Sequence, residues 1–477
     1  MGKALLRTYG CQMNERDSEN IAAMFAERGW ELTDDEDAAD IIVINTCSVR
    51  EQAEQKAIGK LWHLVSRRRW RGTFLPVIGV TGCMAQNRGA KISDEVPGVD
   101  FILGARKTHL VADTAIGIYD KRISSPSAPA LYSRKKPTPQ ELKKLSESAY
   151  IDISDDLSSH LHINKHFINY KDGGMSAKVS AFVSIMQGCQ MNCSYCIVPK
   201  VRGLQRSRPA DDIVSEVKIL ADQGVKEVTL LGQVVNAFGR EVPRRGGISE
   251  FVRLLQRIND IDGIERIRFT SPHPSYFGDD LISAYSSLEK LCNYVHLPLQ
   301  SGSDGILKKM NRPYRAGKFL EIVDKLRAQS PSMSISTDII VGYPTETMDD
   351  FLQTRSLFQR AAFDMAFIFK YSPRQGTVSA QLPDDVSETE KEERNQILLA
   401  DLAKQSLEFN EKFIGNSEDV LIEGFAKRGE NVLMGRTRNH RKVVFEAPPA
   451  LIGSTRKVKI VSATVTTLEG VLQPGSD

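Results

Sequence analysis

Long apolar runs are missing from this 477-residue chain. No stretch approaches the ~18 consecutive apolar residues that a membrane-spanning helix needs. The start, MGKALLRTYGCQ, carries no secretory h-region or cleavage site. Export and membrane insertion are therefore not expected, and the chain reads as cytoplasmic. A large charge of one sign is missing too: 63 Lys and Arg stand against 60 Asp and Glu, a net +3. Any contact with nucleic acid must then come from a local patch. No heptad repeat or exposed apolar stretch marks a partner surface, so a monomer is expected. The cysteines lack the pattern of a disulfide framework. There are seven, an odd number, and they cluster, which in a reducing compartment suits metal ligands better than bridges.

What is present is a globular composition, 41% hydrophobic and 26% charged, over a length suited to about three domains. Residues 1–120 alternate strand-like runs at 3–8, 40–45 (DIIVIN) and 75–81 (LPVIGVT) with helical segments at 14–28 and 50–69. This alternation predicts a doubly wound parallel α/β domain. Cys11, Cys47 and Cys83 each sit just past a strand, in TYGCQ, NTCSV and TGCMA, at intervals of 36 residues. Ligands of such sheets bind where the carboxyl ends of the strands open, so the three thiols are expected to meet at one edge.

Residues 121–176 turn rich in Ser, Pro and Lys and read as a linker or insertion with a short helix at 140–148. Its histidines, His160, His162 and His166, read as solvated rather than metal-binding. Residues 177–414 hold six βα units, with strands expected at 179–186, 227–231, 266–270, 294–299, 335–341 and 367–371. They predict a central (β/α)6 partial TIM barrel with its chemistry on the loops after the strands. Residues 415–477 are short β-runs, read as a small all-β barrel. Between 427 and 459 nine Lys and Arg face only Glu430 and Glu446, a local +7. Strand-borne basic residues with Phe425 and Phe445 nearby suit an RNA backbone.

The sharpest chemical signal is Cys189-x-x-x-Cys193-x-x-Cys196, directly after an expected strand. Three thiolates in eight residues can hold three corners of a [4Fe–4S] cluster, and with no fourth cysteine nearby one iron stays open to a small molecule. Zinc is the structural alternative, but its closed sites take four ligands.

This spacing is that of the radical S-adenosylmethionine (SAM) enzymes. The segments TYGCQMNERDSE, VINTCSVRE, VTGCMAQ, LLGQVVNAFG, FTSPHP, HLPLQSGS, LKKMNRPY, STDIIVGYPTET, FKYSPRQGT and GRTRNH, in this order, resemble the methylthiotransferases. Apart from the linker, the resemblance covers nearly the whole chain. CQMNERDSE points to the tRNA branch that acts on N6-isopentenyladenosine-37. The alternatives are threonylcarbamoyladenosine in tRNA or an aspartate of a ribosomal protein. From another class comes a non-enzymatic iron–sulfur protein.

The resemblance implies that Cys189, Cys193 and Cys196 hold a catalytic [4Fe–4S] cluster. Cys11, Cys47 and Cys83 hold an auxiliary one, and the C-terminal barrel is a TRAM-like RNA-binding domain. Two SAM molecules are used per turnover: one is cleaved to a radical that removes the C2 hydrogen, the other gives the methyl group. Implied partners are a tRNA carrying N6-isopentenyladenosine, a flavodoxin- or ferredoxin-like electron donor, and a protein supplying sulfur or clusters. Tyr195, Arg208, Gln233, Asn236, Gln300, Ser301 and Asp338 are expected near SAM, with Arg202 and Arg206 as further anion contacts and His273 lining the substrate pocket. Lys427, Arg428, Arg436, Arg438, Arg441 and Lys442 are expected on RNA. Cys292 reads as a buried apolar-like residue, and the RRRWR run at 67–71 as a solvated helix end. Gln187 and Val234 depart from the family pattern, where Glu and Asn are expected.

Overall fold

In a computed structural model of the chain, the described residues are 2–48, 51–71, 75–124, 138–154, 178–242, 246–429 and 431–474. They fall into two compact units. One holds the described residues up to 154 with 187–190 and 197–208; the other holds 178–186, 191–196 and the described residues from 209 onward. His160, His162 and His166 lie outside the described residues.

The first unit is built on six parallel strands in the spatial order Glu31–Leu32, Lys3–Tyr9, Ile41–Thr46, Val77–Gly82, Phe101–Gly104, Tyr150–Asp152. The strands are apolar on both faces because both are covered. Ile42, Ile44, Ile78 and Val80 pack with Ala57, Leu61 and Val65 of the helix Glu51–Arg71. Ile41, Val43 and Val77 pack with Ile21, Met24 and Phe25 of the helix Gln12–Glu27 and with Val111 and Ala115 of the helix Val111–Ser124. The strand order reverses between Lys3–Tyr9 and Ile41–Thr46, which makes that crevice the switch point of a doubly wound sheet.

The sheet continues past residue 120. The helix Pro139–Glu147, started by a Thr138–Glu141 capping box, leads into Tyr150–Asp152, which pairs with Phe101–Gly104 as the sixth strand. Three residues are too few to leave a period-2 pattern among polar neighbours, so this strand has no signature in the sequence. The run at 67–71 is not simply a solvated helix end. Arg68 is buried and pairs with Asp100 at 2.7 Å, while Trp70 is exposed.

In the second unit, six parallel strands form two halves. Ser180–Ser184, Glu227–Leu231 and Arg266–Phe269 make the first, and Tyr294–His296, Ser334–Val341 and Met365–Lys370 the second. A bridge between Ile267 and Leu291 joins them. The fourth strand stops at His296, before Pro298, which has no N–H to give to a ladder. Ser417–Phe425, Val432–Arg436, Lys442–Glu446, Leu468–Leu472 and Thr455–Ala463 close in that order into a barrel around Val420, Ile422, Leu433, Val443, Phe445, Val458, Ile460 and Leu468. Among the described residues no helix is long and apolar enough to cross a membrane.

Candidate functional site

Three cysteines stand at the switch point of the first sheet. Cys11 caps the N-terminus of the helix Gln12–Glu27, Cys47 follows Ile41–Thr46, and Cys83 opens the short helix Cys83–Arg88. Their loops are held by a buried amide lattice. Asn14 Nδ2 donates to Asn45 Oδ1 at 2.9 Å and to Thr46 O at 3.3 Å; Asn45 Nδ2 donates to Asn14 O at 2.8 Å and to Ser18 Oγ at 3.0 Å. Cys11 Sγ donates to Asn14 Oδ1 at 3.3 Å. Gly82, with φ +96°, lies so close that a Cβ would meet Asn45 Oδ1 at 2.4 Å and Thr46 O at 2.5 Å, so only glycine fits before Cys83.

Arg202 sits with these thiols. Its Nε donates to Cys83 Sγ at 3.1 Å, and its guanidinium pairs with Asp17 at 2.7 Å, with side-chain exposures of 2% and 19%. A hydrogen bond from Cys47 holds the Cys11 thiol down at about 6, against burial and with help from the Arg202 charge. Burial pushes the Cys83 thiol up. Sequence reasoning placed Arg202 near SAM or phosphate; the fold instead gives it to the thiols of the first sheet. Asn14, Asp17 and Asn45 were missed, although each lies in a segment that carried the family resemblance.

The second cysteine loop follows Ser180–Ser184. Gly188, with φ +80°, stands where a Cβ would meet Leu204 O at 2.1 Å, and Cys189 N–H donates to Gly203 O at 3.0 Å. Cys193 and Cys196 form a turn, with Cys196 N–H donating to Cys193 O at 3.1 Å. Residues of LKKMNRPY cradle this turn. Ser194 donates from N to Met310 O at 3.1 Å and from Oγ to Lys309 O at 2.9 Å. Asn311 Nδ2 donates to Asn192 O at 2.7 Å, and Arg312 Nη1 to Cys193 Sγ at 3.3 Å. Arg312 is a second cation on cluster-type sulfur that sequence reasoning missed. Tyr195 packs against Ile306, Met310, Tyr343 and Tyr371, and burial raises its hydroxyl well above the usual range.

The other expected SAM neighbours divide. Gln233, just past Glu227–Leu231, keeps a buried Oε1 with no hydrogen-bond partner among the described residues. Gln300 holds φ +72° and bridges to Ile339 through its backbone. Ser301 is spent on structure: its Oγ lies 3.2 Å from Thr354 Oγ1 and accepts from Ser303 N. Asn236 grips the backbone of His273. Asp338 pairs across strands with His296 at 3.2 Å, which explains a carboxylate within an apolar strand. Arg208 is buried in the first unit, Val234 is buried, and Cys292 is buried as expected.

The basic C-terminal residues also divide. Lys427 and Arg428 are exposed beside exposed Phe425. Arg438 and Arg441 face the parallel strands instead, at the hairpin turn 437–441 that docks on them, and Arg436 stays partly exposed beside it. Arg436 pairs with Glu423, Arg441 pairs with Asp364, and Arg438 donates to Glu289 O and, at 3.1 Å, to Leu291 O. From the other side, Arg266 donates to Arg436 O at 2.6 Å and Asp419 O at 3.0 Å. Arg268 donates to Arg438 O and Thr437 O, both at 2.9 Å, while its Nε pairs with buried Glu227. The His440 ring stacks on Tyr294 at 4.5 Å. Arg438 and Arg441 are therefore docking residues rather than free phosphate contacts, because their guanidinium groups already have acceptors beside the parallel strands, whereas Arg436 stays partly exposed and pairs within the barrel.

Comparison with known proteins agrees with this layout. The model for the uncharacterized protein family UPF0004 matches residues 3–104, that of the radical SAM superfamily 183–358, and that of the TRAM domain 411–472. A tRNA-2-methylthio-N(6)-dimethylallyladenosine synthase of Opitutus terrae is 47% identical over 99% of this chain and 98% of its own. One of Akkermansia muciniphila is 44% identical over 99% of both. The chain belongs to the tRNA-2-methylthio-N(6)-dimethylallyladenosine synthase family. A solved radical S-adenosylmethionine methyltransferase, TsrM of Kitasatospora setae, has the related fold, with a TM-score of 0.53 at 12% identity over 80% of this chain and 74% of that one.

Seen as a synthase of this family, the chain offers donors that fit iron–sulfur clusters. Both sets are all-thiol, and in each a buried arginine lies against a sulfur and offsets thiolate charge. Among the described residues no three Cys, His, Asp or Glu are drawn together tightly enough for a single metal ion. A four-iron cluster places each thiolate on a different iron, so its ligands stand farther apart than those of one ion.

Proposed function

We propose that this chain is a radical SAM tRNA methylthiotransferase that replaces the C2 hydrogen of N6-isopentenyladenosine in tRNA with a methylthio group. The observation that carries this reading is near-full-length identity to the synthases combined with two separate three-cysteine sets, each just past parallel strands. Cys189, Cys193 and Cys196 would hold one [4Fe–4S] cluster, and Cys11, Cys47 and Cys83 the other. When bound, these clusters and SAM supply the one-electron, sulfur and methyl chemistry that no side chain can.

The chain's own residues place and shield. Arg202 and Arg312 offset charge at the two thiol sets, and Gln233 offers a buried acceptor toward SAM. Lys427 and Arg428, beside Phe425, meet RNA phosphate. A flavodoxin- or ferredoxin-like protein supplies electrons and a further protein replaces sulfur, since each turnover consumes both. We place the enzyme in the cytoplasm, where tRNA is modified, and read it as a monomer.

The test is anaerobic. The protein is reconstituted with iron and sulfide, given SAM, dithionite and tRNA bearing N6-isopentenyladenosine, and the nucleosides are weighed. The 2-methylthio product is expected. Cys193→Ala should abolish 5′-deoxyadenosine formation, whereas Cys47→Ala should keep it and lose the product. If 5′-deoxyadenosine forms in the wild type while the nucleoside stays unmodified, the substrate assignment falls.

A further inference from the structure

One imidazole in the second unit is fixed on every side but one. His273 follows the strand Arg266–Phe269 and is 4% exposed. Asn236 holds its backbone from both directions: Nδ2 donates to His273 O at 3.0 Å and Oδ1 accepts from His273 N at 2.8 Å. Ser275 N–H donates to His273 Nδ1 at 3.2 Å. Nδ1 is therefore the bare nitrogen of the neutral ring, and Nε2 carries the hydrogen. That Nε2 is buried and has no hydrogen-bond partner among the described residues. An orphaned buried donor is costly, and a ligand that completes it is its natural explanation. Burial and the neighbouring Arg312 push the imidazole down to about 2, so the ring remains a neutral donor at working pH.

The groups around it follow an order from the inside outward. The His273 ring lies 5.6 Å from that of Tyr314 and 5.5 Å from that of Tyr276. Arg312, which touches Cys193 Sγ, donates to Tyr314 OH at 3.1 Å, and Tyr276 OH donates to Met191 Sδ at 3.3 Å. The donor is thus tied to the cysteine loop on two sides. Farther out, exposed Arg240 lies 3.9 Å over the half-buried Tyr276 ring. A buried edge donor, then an aromatic ring, then an exposed guanidinium is the set of groups that receives a base splayed out of single-stranded RNA. Such a base is read on its edge, packed on its face, and flanked by phosphate.

We propose that His273, Tyr276 and Arg240 form the seat of the target purine, with His273 Nε2–H donating to N1 or N3, the ring nitrogens that flank C2. This rests on the tRNA substrate proposed above. It adds the means by which the C2 edge is turned toward the cysteine loop.

The experiment uses the reconstituted full-length protein and three anticodon stem-loops, carrying N6-isopentenyladenosine or its 1-deaza or 3-deaza analogue. Binding is read by fluorescence anisotropy, SAM binding by equilibrium dialysis, and iron content alongside. For the wild type, one deaza analogue should bind about tenfold more weakly than the parent. His273→Phe should bind the parent about tenfold more weakly and lose that discrimination, with SAM affinity and iron unchanged. His273→Gln, which keeps an N–H donor, should recover part of it.

A deaza penalty that persists in His273→Phe overturns the proposal. So does a variant that weakens SAM while RNA binding stays the same, since the donor then serves SAM. Should His273→Phe lose its iron, the wild type decides alone, and no penalty with either analogue overturns the seat. A wild type that does not bind the parent stem-loop overturns the RNA substrate itself and this inference with it, an outcome distinct from failure of the His273 comparison alone.

Discussion

At the scale of single residues, the N-terminal thiols depend on polar groups that a motif search passes over. Asn45 is completely buried and makes hydrogen bonds to Asn14 and Ser18. Asn45→Ala removes three buried hydrogen bonds at once and should cost about 1–3 kcal/mol in urea unfolding. The electrostatics give a second expectation. In metal-free protein, alkylation of Cys11 by iodoacetamide should rise with pH through a midpoint near 6, since the thiolate is the nucleophile and protonation below that value removes it. Cys47→Ala should move the midpoint up most, and Arg202→Met should move it up less. A wild-type midpoint near the ordinary ~8.5 would contradict the geometry around Cys11.

At the scale of elements, the hairpin turn at 437–441 separates two roles that a basic run confuses. Removing a free phosphate contact weakens RNA binding and flattens its salt dependence, whereas removing a docking residue loosens the barrel. Lys427→Ala with Arg428→Ala should reduce the slope of log affinity against log salt by about 1.4 for single-stranded RNA. Arg441→Ala should leave that slope in place and lower the urea midpoint instead. Arg268→Met strands the buried carboxylate of Glu227 and should destabilise by about 3–5 kcal/mol. Adding Glu227→Gln should return part of that loss. If the Arg268 variant unfolds like the wild type, the docking account is wrong.

For the whole molecule, two desolvated imidazoles set a pH response. His273 is held down to about 2 by burial and Arg312, and His440 is pushed well below its usual value by burial and by Arg268, Arg436 and Arg441. Below the ordinary imidazole value of ~6.5 the unfolded chain takes up protons that the folded chain refuses. Stability therefore falls as pH drops from that point, by about 1.4 kcal/mol per pH unit for each such proton. Burial raises the Glu346 carboxyl and works in the opposite direction, so His440→Phe is needed to isolate the imidazole contribution. The urea midpoint of the wild type should fall between pH 7 and 5 and fall less in that variant. Equal falls would count against His440 as its source.

The sequence by itself determined the parallel α/β layers, the small C-terminal barrel, and the position of both cysteine sets just past strands. Those features are local: β-branched runs, helical periodicity and a three-cysteine loop are written in consecutive residues. Tertiary structure alone decided which polar groups serve those cysteines. Arg202 meets Cys83 across 119 residues, Arg312 meets Cys193 across 119, and Arg268 meets the hairpin carbonyls across 169 and 170. A guanidinium reads the same in sequence whether it faces phosphate, thiolate or a backbone carbonyl. Only burial, by removing water as the competing partner, assigns it to one of them.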